Sequence, residues 1–481
     1  MLGRVLSQSF LGLQPQQCWE SWLPVQRKPM ARRIISAVTA SARRSFLFAM
    51  FHGGGNLALI IPVVRRLAEH GHRVRVLAGP RIWGPAPPPT APLLDLVTEA
   101  GATAIPLPDR GPNPHAGHRL PGLIAGWTPH QLTLARNLGI ASWWSPVWAR
   151  ETAAEIRRDP PDVLASDYYL LGAIAAAEQA GTASAVLVHN ATYPGPLPGR
   201  PPPYSAFGPE RSVFGRVRDM ACAGALRLAA ARNALPSLNA ARVSLGLRPL
   251  RSPFEQYRAA DRVLILSSRV FDFAAASEPA NVRYVGAPHE DAPTPPWSTP
   301  WPEDDHRPLV LVSLSTLDQG QGALMRRILD AVAEVPVRAL VTLGPSLPAS
   351  GFSCPPNARL ELFVPHVAVL PRVAVLVTQC GLSTVSKALG HGVPMVCLPL
   401  IADQPDNAAR VVAAGAGLRL RANAAPSEIA AAISRVLSDS RYRERAERMA
   451  AQMSHDHGAE AAADELEEIA TSGTPQLAAP N

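Results

Sequence analysis

Ser45-Phe-Leu-Phe-Ala-Met-Phe51, followed by His52-Gly-Gly-Gly-Asn56, decides the reading of the fold. Seven residues with no charge and no polar–apolar alternation fit a strand buried on both faces, and the glycines open a tight loop behind it. Ile60, Val63, Val64 and Leu67 then recur at helical spacing, with Pro62 tolerable only in a first turn. Gly71 and His72 close that helix before a second apolar run at residues 74–77. Strand, loop, helix and strand in this order make a βαβ unit, which calls for a parallel sheet.

Working outward, the alternation continues. Residues 162–165 read as a strand, 171–180 as a helix ending at Gly181, and 185–189 as another strand. Three proline-rich stretches interrupt the chain, at 83–92, 194–203 and 287–308. The last combines seven prolines with Glu303, Asp304 and Asp305, a composition that resists helix and central strand and reads as a stiff linker. Beyond it the pattern restarts, with strands at 309–314, 337–343, 373–378 and 394–398 and helices at 323–333 and 384–390. Residues 427–469 read as closing helices. The expected fold class is α/β: two tandem Rossmann-like, doubly wound domains facing each other across a cleft. The boundaries that follow are a leader at 1–44, expected to be disordered, a first domain at 45–287, the linker at 288–308, a second domain at 309–470 and a disordered tail at 471–481.

Composition excludes several other classes. The chain has 481 residues, 47% hydrophobic and 17% charged, enough to bury more than one core. Its net charge is +8, but residues 1–45 hold seven Arg or Lys against the single acid Glu20, so +6 sits in the leader and +2 in the rest. A nearly neutral body cannot track many phosphates, which argues against nucleic acid as a partner. Cys18, Cys222, Cys354, Cys380 and Cys397 are odd in number, scattered and without a C-x-x-C pair, so a disulfide framework or a zinc ribbon is not expected and a reducing cytoplasm is. No run of 18 uncharged apolar residues appears, hence no membrane span.

The densest group of functional residue types is Val377-Thr-Gln-Cys-Gly-Leu-Ser-Thr-Val-Ser-Lys387, then His391-Gly-Val-Pro394 and Asp403-Gln-Pro-Asp-Asn407. A strand ending at Thr378 turns through Gly381 into a helix whose first turn carries Ser383 and Thr384. Free N–H groups and the positive end of the helix dipole there suit a phosphate. An ordinary N-cap would account for Ser383 or Thr384 alone, but the acids downstream add a second polar cluster.

From residue 363 to 417 the chain resembles the donor-binding signature of the family 1 glycosyltransferases. These are GT-B enzymes that glycosylate small lipophilic molecules, and the likeness is to the bacterial branch of antibiotic and macrolide glycosyltransferases. The run from Gly392 to Leu400 followed by Asp403-Gln-Pro-Asp-Asn-Ala-Ala-Arg410 carries it most specifically, and a looser likeness extends over residues 45–469. The resemblance implies that Phe363 stacks on the donor base, with Val364, Pro365 and His366 lining the base pocket. Ser313 and Thr316 would lie near the diphosphate, and Asp403 and Gln404 would bond the hydroxyls of the donor sugar. Gln379, Gly381, Ser383 and Thr384 complete the donor site. It implies no cofactor beyond the nucleotide sugar as co-substrate, and a lipophilic small molecule as acceptor.

This chain departs from the family pattern at four positions. Ser315 stands where a glycine is usual, Gln379 replaces a histidine, and Lys387 replaces a glutamate that bridges ribose hydroxyls, so UDP and dTDP donors both stay open. The catalytic histidine falls on Asn56, and an amide is not a base near neutral pH. Asp167 matches the carboxylate that orients that histidine; it would act directly or through a water, with Asn56 positioning the acceptor. His52, four residues earlier, reads as structural. The expected reaction is inverting, metal-independent transfer of a hexose or deoxyhexose to a hydroxyl. The rival is a non-catalytic GT-B auxiliary or nucleotide-sugar binder that has lost its base. No D-x-D pair suggests a metal, and His115, His118, His455 and His457 read as solvent-facing. The segment 127–148, with Trp143 and Trp144, reads equally as acceptor wall or core.

Overall fold

The computed structural model describes residues 43–53, 55–80, 82, 91–107, 130–289, 297–315 and 319–472, and statements of absence below concern these. The leader, most of the first proline stretch, His115, His118, Thr316, residues 290–296 of the linker and the tail lie outside them. In the first half the order is β1 (Ser45–Phe51), α1 (Leu57–Glu69), β2 (Arg73–Gly79), α2 (Ala91–Glu99), β3 (Thr103–Pro106), α3 (His130–Ser142), α4 (Ser145–Arg158), β4 (Val163–Asp167), α5 (Leu171–Ala180), β5 (Ala183–Val188), α6 (Val213–Ser244), β6 (Arg262–Ile265) and β7 (Val282–Tyr284). The second half runs β8 (Leu309–Ser313), α7 (Gly322–Ala333), β9 (Arg338–Thr342), β10 (Ala358–Glu361), α8 (His366–Val369), β11 (Val375–Thr378), α9 (Leu382–Gly390), β12 (Met395–Cys397), α10 (Gln404–Ala413), β13 (Gly417–Arg419), α11 (Pro426–Ser438), α12 (Ser440–Met453) and α13 (Gly458–Ser472).

All pairings are parallel, in two sheets of order β3-β2-β1-β4-β5-β6-β7 and β10-β9-β8-β11-β12-β13. In each the winding reverses beside the first strand, between β1 and β4 and between β8 and β11, and such switch points are where open α/β sheets bind ligands. Both faces of β1 are covered: Phe46, Phe48 and Met50 enter one core and Leu47, Ala49 and Phe51 another. Each of the Phe, Leu and Met side chains withdrawn from water contributes about 1.5–3 kcal/mol, which is why a seven-residue apolar run can only be a central strand.

The core that holds Phe46 continues through α1 and α13 into the second sheet, reaching Leu311 and Leu376. The last helix, α13, therefore packs on the first half of the molecule, with Glu460 on Arg66 and Glu465 on Arg262. One expectation needs correction. Pro62 lies in the second turn of α1, not the first; the bond it cannot make is to the carbonyl of exposed Ala58, which water can take. Gly71, at φ +84°, ends the helix as expected. No helix is long and apolar enough to cross a membrane.

Candidate active site

The switch point of the first sheet gathers three residues far apart in sequence. Asp167 is the last residue of β4 and fully buried, and Asn56 follows the glycine loop after β1. Asn56 Nδ2 donates to Asp167 Oδ2 at 3.0 Å and to the Phe51 carbonyl at 3.1 Å. Two acceptors on one side fix the amide, so Asn56 Oδ1 points the other way, buried and without a partner. The loop needs Gly53 for this arrangement, because a Cβ there would stand 2.7 Å from Asn56 Oδ1 and closer still to the Phe51 ring. His52 is buried as a structural histidine would be, its N–H donating to the Gly79 carbonyl at 3.2 Å.

The third residue is one that sequence reasoning missed. His189 follows β5, and its Nε2 lies 3.2 Å from the same Asp167 Oδ2. Tyr168 sits edge-on to its ring with centroids 4.8 Å apart, and Tyr169 lies 6.0 Å away. The Tyr169 N–H donates to Asp167 Oδ1 at 3.0 Å, so both carboxylate oxygens are engaged. The Tyr169 and Tyr204 hydroxyls meet at 3.3 Å, and burial raises both, Tyr169 to about 12, so they remain protonated. The only sequence signal for His189 was its place one residue beyond an apolar strand, the same place that β4 gives Asp167. Trp144 and Trp148 belong to the core and Trp143 packs against it, so these residues of the 127–148 segment are framework.

The second switch point is neutral. Ser313 ends β8 and Gln379 follows β11. With its amide nitrogen toward Ser313, Gln379 donates to the Ser313 carbonyl and accepts from the Ser315 N–H, both at 3.1 Å. It braces the two strand ends against each other. Cys380 adopts φ +71°, unusual for a residue with a side chain, with its N–H on Thr378 Oγ1 at 3.2 Å. Gly381 is the N-cap of α9, which begins at Leu382, two residues earlier than the sequence pattern suggests. The first intrahelical acceptor is the Gly381 carbonyl, bonded by Val385, so the N–H groups of Leu382, Ser383 and Thr384 are free of the helix ladder.

Asp403 and Gln404 open α10. Gln404 Oε1 accepts from the Leu400 and Ile401 N–H groups at 2.9 and 3.0 Å, and its Nε2 donates to Gln319, so its amide shapes the loop. Asp403 accepts from Asn407 Nδ2 at 2.8 Å, and the same nitrogen donates to the Cys380 carbonyl at 3.0 Å. Asn407, which the sequence offered only as part of the motif, thus ties the α9 turn to the Asp403 loop. Burial raises Asp403, while Asn407 and the charge of His189 oppose the rise. Asp403 of the second half therefore lies near enough to His189 of the first to feel its charge.

Phe363 is half exposed, at 50%, in the loop after β10, followed by buried Val364 and by His366 at the start of α8. Burial and the Lys387 ammonium push His366 down to about 4, and burial, Lys387 and His391 push His289 down to about 3. The charge of Lys387 thus lies near both His366 and His289. The two halves are joined at α10. Asp406 accepts the N–H groups of Tyr204 and Ala206 at 2.5 and 2.6 Å, both residues held at φ 60°. Arg410 Nη2 lies 2.7 Å from Asp272, which Arg200 and the Tyr284 hydroxyl also bind at 2.7 and 2.6 Å.

His70, His72 and Glu467 form the one cluster of metal-ligand type among the described residues, at the contact of α1 with α13 and apart from the cleft. The Arg44 N–H donates to His72 Nδ1 at 3.2 Å, so the other ring nitrogen carries the proton and directs it at Glu467, 3.1 Å away. That is a hydrogen-bonded pair rather than a ligand set. His455 and His457 are exposed.

Residues 326–469 match the family described as erythromycin biosynthesis protein CIII-like, C-terminal domain. The chain is 29% identical over 419 residues to 4'-demethylrebeccamycin synthase of Lentzea aerocolonigenes, covering 84% of this chain and 94% of that one. It is 34% identical to demethyllactenocin mycarosyltransferase of Streptomyces fradiae over a shorter stretch, 36% of this chain and 37% of that one. Among solved structures, the calicheamicin glycosyltransferase CalG4 superposes with a TM-score of 0.67 at 22% identity, covering 90% of this chain and all of that one. The glycosyltransferase VinC in complex with dTDP superposes with a TM-score of 0.61 at 19% identity, covering 89% and 100%.

Proposed function

Because the chain belongs to the macrolide-type, family 1 glycosyltransferases of the GT-B fold, in the bacterial natural-product branch, we propose that it moves a hexose or deoxyhexose from a nucleoside diphosphate to a hydroxyl of a lipophilic small molecule, with inversion and without a metal. The second half takes the donor. Its base rests on Phe363 with Val364 and His366 beside it, and its diphosphate meets Gly381 and the N–H groups of Ser383 and Thr384. Ser313 approaches it from the end of β8. There the α9 dipole and free N–H groups supply the positive potential that a departing diphosphate needs. Asp403 accepts from the sugar hydroxyls, with Gln404 holding the loop that carries it.

The observation that carries this reading is that Asp403 of the second half lies within the electrostatic reach of His189, which stands beside Asp167 and Asn56 of the first. A sugar held at Asp403 presents its anomeric carbon toward a buried carboxylate–histidine pair, which is the arrangement that activates an incoming hydroxyl. The dTDP in the VinC structure favours a thymidine donor, and Lys387 beside the pocket offers a cation where a ribose-bridging carboxylate would stand.

Calorimetric titration with UDP, dTDP, GDP and ADP, followed by hydrolysis of the matching glucose donor, tests the proposal. Selective binding of a uridine or thymidine diphosphate with measurable sugar release supports it. Binding without any release favours a donor-binding protein that does not turn over, and absence of binding to all four overturns the donor site.

A further inference from the structure

Resting on that transferase reading, we infer that His189 is the general base of the reaction, and that Asp167 and Asn56 are positioning residues that hold it. The histidine is supplied from the end of β5 instead of the loop after β1, so the site keeps a histidine–carboxylate pair although position 56 is an amide.

Three observations converge on this assignment. Asp167 is fully buried, and its oxygens are occupied by the Asn56 amide and the Tyr169 N–H, with His189 Nε2 3.2 Å from the oxygen that Asn56 shares. A carboxylate so enclosed has no open path to an acceptor hydroxyl. His189 keeps 15% side-chain exposure while its Nε2 is buried 3.2 Å from Asp167 Oδ2 without a hydrogen bond to it, so that nitrogen faces the carboxylate as an ion-pair partner and the exposed part of the ring is left for a substrate. Lastly, His189 acts electrostatically on Asp403, which places it beside the sugar rather than in the framework of the first sheet. Asn56 donates to the oxygen that His189 faces, and its unpartnered Oδ1 offers an acceptor for the substrate hydroxyl.

In the proposed step the acceptor oxygen bonds to the anomeric carbon as the anomeric carbon–oxygen bond to the diphosphate breaks, its electron pair leaving on the nucleoside diphosphate. The acceptor proton passes to the ring nitrogen of His189 that faces the cleft. Asp167 offsets the charge of the resulting imidazolium, and the proton is then lost to water through the exposed edge of the ring.

Hydrolysis of dTDP-glucose and UDP-glucose, with water as acceptor, tests the base without knowledge of the natural acceptor. His189→Gln is expected to lower kcat by about 10²–10⁴ while the dissociation constant of the nucleoside diphosphate stays within about two-fold. The acid limb of the wild-type pH–rate profile should vanish with it, and His189→Ala should regain part of its rate when imidazole is added, a rescue that a structural role would not give. A His189→Gln enzyme within about three-fold of wild type with its acid limb intact overturns the assignment, as do equal losses of kcat and nucleotide affinity. Wild-type protein that neither binds nor hydrolyses any of the donors overturns the transferase reading itself, and the base with it, which separates the two failures.

Discussion

The two sheets share one winding order around their first strands, yet their switch points hold opposite chemistry. Beside β1 and β4 stand a buried carboxylate, an imidazole and an amide with a free oxygen. Beside β8 and β11 stand a glutamine that braces two strand ends and a glycine that opens a helix. The same backbone plan can thus present either a proton acceptor or an anion cradle, and what decides is whether the strand ends carry ionisable side chains or leave backbone N–H groups bare. In the proposed reaction one half activates the incoming hydroxyl and the other neutralises what leaves. The difference can be broken from either side.

The largest effect is expected at the ionisable switch point. Asp167→Asn removes the charge that opposes an imidazolium at His189, and turnover should fall by about 10²–10⁴ with donor affinity nearly unchanged. Combined with His189→Gln the losses should be far from additive, because the two residues act as a unit; additive losses in donor hydrolysis would separate them.

Next comes the joint that keeps the two switch points in register. Arg410→Ala leaves Asp272 buried with Arg200 and the Tyr284 hydroxyl but without its partner from the second half, and breaking a buried pair costs about 3–5 kcal/mol. Denaturant midpoints should drop accordingly. Burial alone would raise Asp272, but Arg410 and Arg200 outweigh it and hold the acid below its ordinary value. Its stabilising contribution is therefore complete above the unfolded-state value and is lost as pH falls through the folded one. The Arg410→Ala protein should show a smaller loss of stability on acidification than wild type; an identical loss would remove Asp272 from the joint.

These two regions also explain what could be read from the sequence. The second half was legible because its site is nearly contiguous: Gln379, Gly381, Ser383 and Thr384 are followed within about one further βα unit by Asp403 and Gln404. The first was not, since Asn56, Asp167 and His189 meet only through the pairing of β1, β4 and β5. Short strands such as β3, β10 and β13, at three or four residues, carry too few side chains for a period to show. The 32-residue α6 escaped for another reason: Val213, Phe214, Val217, Met220 and Leu228 are exposed, so its apolar residues do not mark one buried face. Nor does a linear pattern disclose that Gln404 is spent on its own loop or that Asn407 links that loop to Cys380.

At the proposed sugar contact, Asp403→Asn keeps the shape and one acceptor oxygen while discarding the charge. A hydrogen bond to a charged group is worth about 1.5–3 kcal/mol, so kcat/KM should fall by roughly 10–150-fold, with the thermal midpoint held or raised because burial already disfavours the charged form. An unchanged kcat/KM would take Asp403 out of the sugar site.

The smallest effect is expected at the neutral switch point, where Gln379→His restores the residue type that the family usually has. Two consequences oppose each other. The imidazole can meet only one of the two partners that the amide now bridges, the Ser313 carbonyl and the Ser315 N–H, and a lost hydrogen bond of this kind is worth about 0.5–1.5 kcal/mol. Against that, its remaining N–H can turn toward the diphosphate beyond Gly381, where a bond to an anion is worth about as much or more. The dissociation constant for dTDP or UDP should therefore move by less than about ten-fold, toward tighter binding where the anion contact dominates. Isothermal titration of both nucleotides decides it. Weakening beyond ten-fold would show that the brace between β8 and β11 matters more to the donor than a direct contact, and that this switch point holds its phosphate with backbone rather than with a side chain at position 379.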